Sequence, residues 1–351
     1  MKLSSKSLAN SAAATTVSAW KTYGTALWPG LLLAGGIAIA AVGLGQWIGI
    51  DSLNPLLIAV LLGIGWRYVW GLPDFVRPGV QFAMKRVLRL AVILLGLRLS
   101  LTEVIAVGPA VLVIVATSTL STFYLTSWLG RYLQVGRRLT QLIAAGTSVC
   151  GASAVIATNA VIDGSEEEMT YAISTITSFG TLAMLTYPLM ANLFGLTPTV
   201  FGLWCGASVH EVAQVIATSF QQGNVSGELA TVTKLSRVLL IIPIMLSLSW
   251  QKQRTGLKQQ ANSTFPMPWF VLFFSLLVII NSLGVVPAPL KTSVIGINQV
   301  LLCMSLAAMG LATNLVRLTQ LGAKPMYLAG LSWLFLAVTS LCLINLLSPA
   351  F

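Results

Sequence analysis

One apolar segment of the chain carries a histidine, a glutamate and a glutamine close together. His210 is the only histidine in the sequence and Glu211 follows it directly; Gln214 lies four residues after the first and three after the second. Residues at these spacings share one face of a helix. Because ionisable side chains are costly to bury in apolar surroundings, His210 and Glu211 are candidates for binding an ion or exchanging a proton.

The next apolar segment carries two basic residues, Lys234 and Arg237, which are three residues apart and also share a helix face. Glu211 against either cation would neutralise part of the buried charge, and the remaining positive charge would favour an anion. Arg98, near the end of an earlier apolar segment, could add to the same cavity. The alternatives are a structural ion pair that fixes two helices, and long basic side chains that reach the lipid headgroups.

A zinc protease is excluded, although a His-Glu pair is part of its motif. Such an enzyme needs a second histidine four residues after the first, and Gln214 occupies that position. The four cysteines lie inside apolar segments without a CxxC pair, which predicts neither a disulfide framework nor a metal site. They are Cys150, Cys205, Cys303 and Cys342. We therefore expect no enzyme activity and no cofactor.

The elements that position these residues are predicted to be membrane-spanning helices. Of the 351 residues, 56% are hydrophobic and only 8% are charged, whereas soluble domains carry about a quarter charged residues. Apolar runs of about 20 residues recur along the chain, and each is long enough to cross a bilayer as a helix. Backbone polar groups cannot go unpaired in lipid, so these runs must be helical. The sequence therefore predicts an all-α polytopic protein of the bacterial inner membrane.

Eleven spans are predicted, and the basic residues orient them. With the N-terminus in the cytoplasm, 16 of the 20 Lys and Arg residues fall on the inner side, as the positive-inside rule requires. The C-terminus is then outside, and the net charge of +11 reflects topology rather than a nucleic-acid partner. The spans cover residues 28–50, 53–71, 84–103, 106–129, 139–162, 169–194, 197–220, 229–250, 267–285, 291–315 and 325–348.

Eleven spans divide into one extra helix and two units of five, which would have opposite orientations because five is an odd number. A cytoplasmic tail is predicted over residues 1–27, followed by one transporter domain over 28–351. Within that domain the extra helix covers 28–52, the first repeat 53–194 and the inverted second repeat 197–348.

Spans five and ten occupy matching positions of the two repeats, and both contain small residues, at 146–154 and 305–314. Such a stretch either packs two backbones closely or lets a helix unwind, so that backbone N–H groups and half-helix ends face a ligand. We expect both spans to be broken there and to form a binding site near the midplane. For the small residues of span seven, 205–208, we expect close packing instead.

Several segments resemble a family of bacterial membrane proteins named for proposed sulfate export, formerly an uncharacterised membrane protein family. They are Thr147-Ser148-Val149-Cys150-Gly151-Ala152-Ser153-Ala154, Cys205-Gly206-Ala207-Ser208-Val209-His210-Glu211-Val212-Ala213-Gln214-Val215, Asn54-Pro55-Leu56, Gly96-Leu97-Arg98-Leu99-Ser100 and Thr233-Lys234-Leu235-Ser236-Arg237. That family is similar to cation/proton antiporters, bile-acid symporters and auxin carriers. The resemblance implies two inverted five-helix repeats, crossed broken helices in a core domain beside a panel domain, and a homodimer formed through the panel.

The resemblance also implies a secondary transporter of a small anion, sulfate or an organic sulfonate, with alternating access and with export as the direction in the family's name. An anion channel, and a membrane scaffold or sensor without flux, stay open as alternatives. The candidate substrate-binding residues are Thr147, Ser148, Gly151, Ser153, Met309, Gly310, Asn314, Arg98, Lys234 and Arg237. The candidate residues for coupling to a proton or sodium ion are His210, Glu211, Gln214 and Asn159, the last because sodium-coupled relatives carry amide ligands near the crossing.

Overall fold

The computed structural model describes residues 5–48, 54–99, 101, 108–254, 269–313 and 323–347, and over these ranges every regular element is a helix. The helices are α1 (Ser5–Ile48), α2 (Pro55–Trp70), α3 (Arg77–Phe82), α4 (Leu88–Leu95), α5 (Gly108–Tyr132), α6 (Arg137–Ser148), α7 (Ala152–Ile162), α8 (Glu166–Phe194), α9 (Pro198–Ser208), α10 (Val212–Ser219), α11 (Asn224–Leu239), α12 (Ile241–Arg254), α13 (Trp269–Ser282), α14 (Ala288–Ala312) and α15 (Ala323–Leu347). A π-helical turn, Ala83–Val87, joins α3 to α4, and a 3₁₀ turn, Phe220–Gln222, follows α10.

Five apolar segments of these helices are long enough to cross a membrane. They are Ala26–Trp47, Gly108–Tyr132, Asn224–Leu248, Ala288–Ala312 and Ala323–Leu347, and shorter apolar helices cover Pro55–Trp70, Ala152–Ile162 and Trp269–Ser282. The prediction of an all-helical polytopic protein is therefore confirmed for the part of the chain that the structure describes. The count of eleven spans, their orientation and the repeat boundaries stay predictions. Helix α1 begins at Ser5, so helix continues into the segment predicted as a tail.

The helices pack into two groups. The panel consists of α1–α4, α13 and α14, and the core consists of α5–α12 and α15. Helices pack extensively within each group, whereas the main packing between the groups is that of α10 against α2 and α14. Along the sequence the chain runs from panel to core, back to the panel and again to the core. Each predicted five-span repeat therefore contributes to both groups.

Span five is broken into α6 and α7, where the small residues predict an interruption. Helix α6 ends at Ser148 and α7 begins at Ala152. Gly151 turns the chain with a φ of 73°, a left-handed conformation that a residue without Cβ adopts at little cost. The two half-helices thus present a C-terminus and an N-terminus to the same point inside the core.

Span seven is also broken, although only close packing of its small residues was predicted from the sequence. The small residues pack closely as predicted, because a Cβ added to Gly206 would lie 2.7 Å from Thr233 Cβ on α11. Directly after them, however, α9 ends at Ser208 and α10 begins at Val212. The break at 209–211 contains no glycine, so it lacks the signal that marks the break in span five.

Span ten is not broken over its described length, and the predicted interruption there is wrong. Helix α14 runs without interruption from Ala288 to Ala312. Its small residues let two backbones approach, since a Cβ added to Gly310 would lie 3.0 Å from the Cα of Gly63 on α2. Close packing is therefore the physical reason for this composition. Within the described residues, the spans whose two half-helices are separated by three residues are five and seven, not five and ten.

The contact between α2 and α14 gives a stability prediction. We expect Gly63→Ala to destabilise the protein by about 1–3 kcal/mol, as overpacking does, because the new Cβ would lie 3.1 Å from Gly310 Cα. Gly65→Ala is the matched control on the same helix, where nothing lies within 4 Å of an added Cβ. Thermal unfolding in detergent measures both. Equal midpoints for the two variants would contradict the close packing.

Candidate functional site

The two broken helices meet at their breaks. A Cβ added to Gly151 would lie 2.7 Å from Glu211 Cγ and 3.4 Å from the backbone oxygen of His210. We call this place, residues 149–151 and 209–211, the crossing. Four helix ends meet there, because α6 and α9 end at the crossing and α7 and α10 begin at it. Helix C-termini carry partial negative charge and N-termini partial positive charge, each about half an elementary charge.

Lys234 of α11 binds the C-terminal ends of both broken helices. Its Nζ donates a hydrogen bond to the carbonyl of Val149 and another to that of Val209, both of 2.8 Å. These carbonyls would otherwise be unpaired at a helix end inside the protein. A single ammonium group therefore joins α6 to α9 and compensates their negative ends.

Arg237, one turn further along α11, binds the same two ends. Its Nε donates to the Ser148 carbonyl at 2.6 Å and its Nη1 to the Val209 carbonyl at 3.2 Å, while Nη2 donates to the Thr147 carbonyl. Both Lys234 and Arg237 are fully buried. The two basic residues predicted to hold an anion thus donate these hydrogen bonds to backbone carbonyls.

Glu211 lies at the opposite, N-terminal ends. It is the N-cap residue of α10, where it forms a capping box with Gln214, and its N–H donates to Gln214 Oε1 at 3.2 Å. The carboxylate accepts a hydrogen bond of 2.7 Å from Thr177 Oγ1 of α8, and it lies beside the start of α7, since a Cβ added to Gly151 would lie 3.5 Å from Glu211 Oε1. One carboxylate therefore compensates the positive ends of α7 and α10.

The expected ion pair between Glu211 and a basic residue of α11 is absent. Among the residues that the structure describes, neither Lys234 nor Arg237 lies within salt-bridge distance of the Glu211 carboxylate. The physical reason is that each charge binds the helix ends of opposite sign. The crossing is thus held by charge–dipole contacts and hydrogen bonds on both sides.

Gln214 fixes α10 to the neighbouring helix α8. Its Nε2 donates to the Thr177 carbonyl at 3.0 Å and to Thr181 Oγ1 at 3.3 Å. Gly180 lies directly under the amide, since an added Cβ would lie 2.8 Å from Nε2. Gln214 therefore positions Glu211 rather than offering a free amide to a ligand.

Three polar atoms beside the crossing have no hydrogen-bond partner among the described residues: Thr147 Oγ1, Ser148 Oγ and His210 Nδ1. Each belongs to a side chain that is at most 1% exposed. A buried polar group without a partner costs about 1–3 kcal/mol, and such a group in a native protein calls for a water or a ligand. Glu211 is partly exposed and Ser153 is exposed, so the crossing has an open side.

Two of the predicted site residues lie elsewhere. Arg98 donates to Asn224 Oδ1 at 3.2 Å and lies 5.8 Å from the centre of the Phe220 ring. Asn224 starts α11, ten residues or about 15 Å of helix before Lys234. Arg98 belongs to the panel and these partners to the core, so it joins the two groups instead of lining the crossing.

Asn159 also lies away from the crossing, in the last turn of α7. Its Oδ1 accepts a hydrogen bond of 3.0 Å from the N–H of Gly164, and its Nδ2 faces the sulfur of Met169 at 3.7 Å. Eight residues, or about 12 Å of helix, separate it from Gly151. Its amide shapes the turn between α7 and α8.

The candidates from span ten are buried in packing contacts. Met309 and Gly310 lie in α14, which packs against α2 and touches α10 of the core. Asn314 lies outside the described residues. The structure therefore brings together Thr147, Ser148, Gly151, His210, Glu211, Gln214, Lys234 and Arg237, with Ser153 on the open side, and leaves the other described candidates elsewhere.

Thr177 and Thr181 were not among the predicted site residues, although the sequence of α8 carries a signal for them. Helix α8 carries hydroxyl residues at positions 170, 174, 177, 178 and 181, a spacing that lines one helix face. A second missed signal is a repeat: Gly146-Thr147-Ser148-Val149 and Gly206-Ala207-Ser208-Val209 share Gly-x-Ser-Val, and each ends the first half of a broken helix.

Comparison with known proteins gives a family and several relatives. The profile of a family described as conserved hypothetical protein 698 matches residues 29–329. A UPF0324 membrane protein of Yersinia pestis is 35% identical over 326 residues, which cover 88% of this chain and 90% of the relative. A UPF0324 membrane protein of Pseudomonas aeruginosa is 36% identical over 326 residues, with 88% and 92% coverage.

A third relative is the UPF0324 inner membrane protein YeiH of Salmonella typhi, which is 34% identical over 323 residues and covers 89% of this chain and 90% of its own. No solved structure matches. Together with the apolar helices, these relatives confirm the predicted location as a multi-pass protein of the bacterial inner membrane.

The contacts of α11 predict which charge holds the crossing together. We expect Lys234→Met to destabilise the protein by about 1–3 kcal/mol, since it leaves the Val149 carbonyl without a hydrogen-bond partner and the Val209 carbonyl with Arg237 alone. Lys324→Met, which removes an exposed lysine on α15, is the control. Thermal unfolding of both variants in detergent makes the comparison. A midpoint for Lys234→Met as high as that of the control would contradict the described role.

Proposed function

This chain belongs to the conserved hypothetical protein 698 family of membrane proteins, and we propose that it is a secondary transporter of a small anion that binds at the crossing. The observation that carries the proposal is the meeting of two broken helices inside the core, with four helix ends in one place. Broken helices at membrane depth are tolerated only where protein or a cavity satisfies their backbone. In secondary transporters they form the substrate site.

The charges at the crossing favour an anion. Lys234 and Arg237 contribute two positive charges and Glu211 one negative charge, and the N–H groups at the starts of α7 and α10 point toward the same region. The unpartnered hydroxyls of Thr147 and Ser148 are further donors. A small oxyanion, sulfate or an organic sulfonate, has the acceptor oxygens that such donors require.

The two cations act at a distance in this proposal. Their hydrogen bonds go to the carbonyls of α6 and α9, so they hold the helix ends and supply positive potential. Direct contacts to the anion come from the N–H groups of α7 and from the hydroxyls of Thr147, Ser148 and Ser153. His210 and Glu211 are the groups that would exchange a proton.

Alternating access follows from the division into panel and core. Because α10 carries the main contact between the groups and begins at the crossing, a movement of the core against the panel would open the crossing to one side and then to the other. Arg98 and Asn54 add hydrogen bonds from the panel to the turn between α10 and α11. We place the homodimer contact on the panel, so that the core is free to move.

Uptake of labelled sulfate and labelled methanesulfonate into proteoliposomes, with pH and sodium gradients imposed separately, tests the proposal. We expect flux that saturates with substrate and follows a gradient, as in a coupled carrier. Flux that stays proportional to concentration would instead indicate an anion channel. If neither anion is taken up under any gradient, transport of this anion class is excluded, and a membrane scaffold or sensor without flux is the function that stays open.

A pair of glycine variants ties the flux to the crossing. We expect Gly151→Ala to abolish uptake, because the new Cβ would displace the Glu211 side chain. Gly71→Ala is the matched control, since Gly71 has the same φ of 73° with nothing within 4 Å of an added Cβ. Both variants carry the cost of an alanine at positive φ outside the αL region, roughly 1–3 kcal/mol. Equal uptake by the two would place the transport site elsewhere.

A further inference from the structure

The Glu211 carboxylate is bound as a substrate anion would be bound. The Thr177 hydroxyl donates to it at 2.7 Å, and the carboxylate lies at two helix N-termini: Glu211 is the N-cap residue of α10, and its Oε1 would lie 3.5 Å from a Cβ added to Gly151, the N-cap of α7. Two helix N-termini and a hydroxyl form a donor set that suits any small oxyanion. The carboxylate already fills it.

Polar atoms without hydrogen-bond partners lie around this carboxylate. Thr147 Oγ1, Ser148 Oγ and His210 Nδ1 flank the two breaks, are buried, and have no partner among the described residues. Glu211 itself is partly exposed, so the carboxylate is not sealed inside the core.

The helix N-termini and the Thr177 hydroxyl around Glu211 can bind one oxyanion at a time. The titratable and charged groups around Glu211 are Lys234 of α11 and Cys150 and His210 of the breaks, with Arg237 close to His210. The helix packed on its other side, α8, presents the Thr177 hydroxyl to the carboxylate. When the carboxylate becomes neutral by gaining a proton and one singly charged oxyanion binds, the net charge of the crossing stays the same.

From these contacts we infer that Glu211 and the transported anion compete for the same donors, so that substrate binds after a proton has joined the Glu211 carboxylate. The inference rests on the proposed transport function and adds its substrate class and its coupling. The proton adds to the carboxylate, the neutral acid releases the N–H groups of α7 and α10, and a singly charged oxyanion such as a sulfonate takes its place. On the other side both leave, and the carboxylate returns.

The coupling has a fixed sign. Because the anion binds when the proton is bound, the two cross the membrane in the same direction. One proton with one sulfonate moves no net charge, whereas one proton with sulfate would move one negative charge. An outside-acid gradient then drives uptake, which is opposite to the export suggested by the name of the family that the sequence resembles.

Methanesulfonate is the suitable probe, since it is the anion of a strong acid and does not cross lipid in a protonated form. Proteoliposomes that contain a pH-sensitive dye receive labelled methanesulfonate outside. We expect uptake together with acidification of the lumen, at a rate that a potassium–valinomycin clamp of the membrane potential does not change. Lowering the outer pH by one unit is expected to raise the initial rate up to about tenfold where Glu211 is mostly ionised.

Two variants complete the experiment. Glu211→Gln cannot carry the proton, so we expect it to exchange labelled methanesulfonate without lumen acidification and with a rate that does not depend on pH. Glu167→Gln, which removes an exposed carboxylate at the start of α8, is the control and should keep the coupling.

The outcomes separate the inference from the function on which it rests. Uptake by the wild-type protein without acidification, or uptake of sulfate but not of methanesulfonate, would overturn the inference and leave anion transport standing. Coupling that persists in Glu211→Gln would move the proton site to another residue and overturn it as well. If neither anion is taken up under any gradient, the proposed function itself fails. The measurements on the wild-type protein test the inference even if the Glu211→Gln variant does not fold.

Discussion

The structure depends on one constraint: two helices that are broken inside a membrane protein must find partners for the backbone groups at their breaks. Water is scarce at this depth, so the protein supplies the partners itself. Lys234 and Arg237 bind the carbonyls at the ends of α6 and α9, and the Glu211 carboxylate lies at the starts of α7 and α10. Charged residues that are expensive in isolation thus become the means by which the breaks are tolerated. The cations bind helix C-termini and the carboxylate lies at helix N-termini, which explains why Glu211 does not pair with Lys234 or Arg237.

The same constraint connects the crossing to the rest of the molecule. Helix α10 begins directly after its N-cap residue Glu211, is fixed to α8 by Gln214, and carries the main packing between core and panel. A change in the charge or the hydrogen bonds of Glu211 therefore acts at the end of a core helix that packs on both α2 and α14. In our account this helix links occupancy of the site to the position of the core. The panel is held firmly by contrast, through backbone contact between Gly63 and Gly310.

Much of this arrangement could be predicted from the sequence, for identifiable reasons. Ionisable residues inside apolar segments are few, so His210, Glu211, Lys234 and Arg237 stand out, and the structure brings them to one place. The break in span five was predictable because Gly151 lies within a run of small residues. Small residues alone cannot distinguish unwinding from close packing, and for this reason the expectation failed at Gly310. The break in span seven has Glu211 as its cap and no glycine, and only the repeated Gly-x-Ser-Val points to it. The direction of a side chain depends on tertiary packing, which the sequence does not reveal. For this reason an ion pair was predicted, whereas in the structure the charged groups lie at helix ends.

The most direct test of the central claim, that an anion binds at the crossing, is substrate protection of a cysteine at Ser153, the exposed residue on its open side. The variant combines Ser153→Cys with Cys342→Ser, since the other three cysteines are buried. A membrane-impermeant cationic thiol reagent labels the protein with and without methanesulfonate at acidic pH, and Ala160→Cys, exposed at the far end of α7, is the control. Our account predicts that the anion slows labelling at position 153 several-fold and leaves position 160 unchanged. Labelling at position 153 that proceeds at the same rate with saturating anion would contradict it.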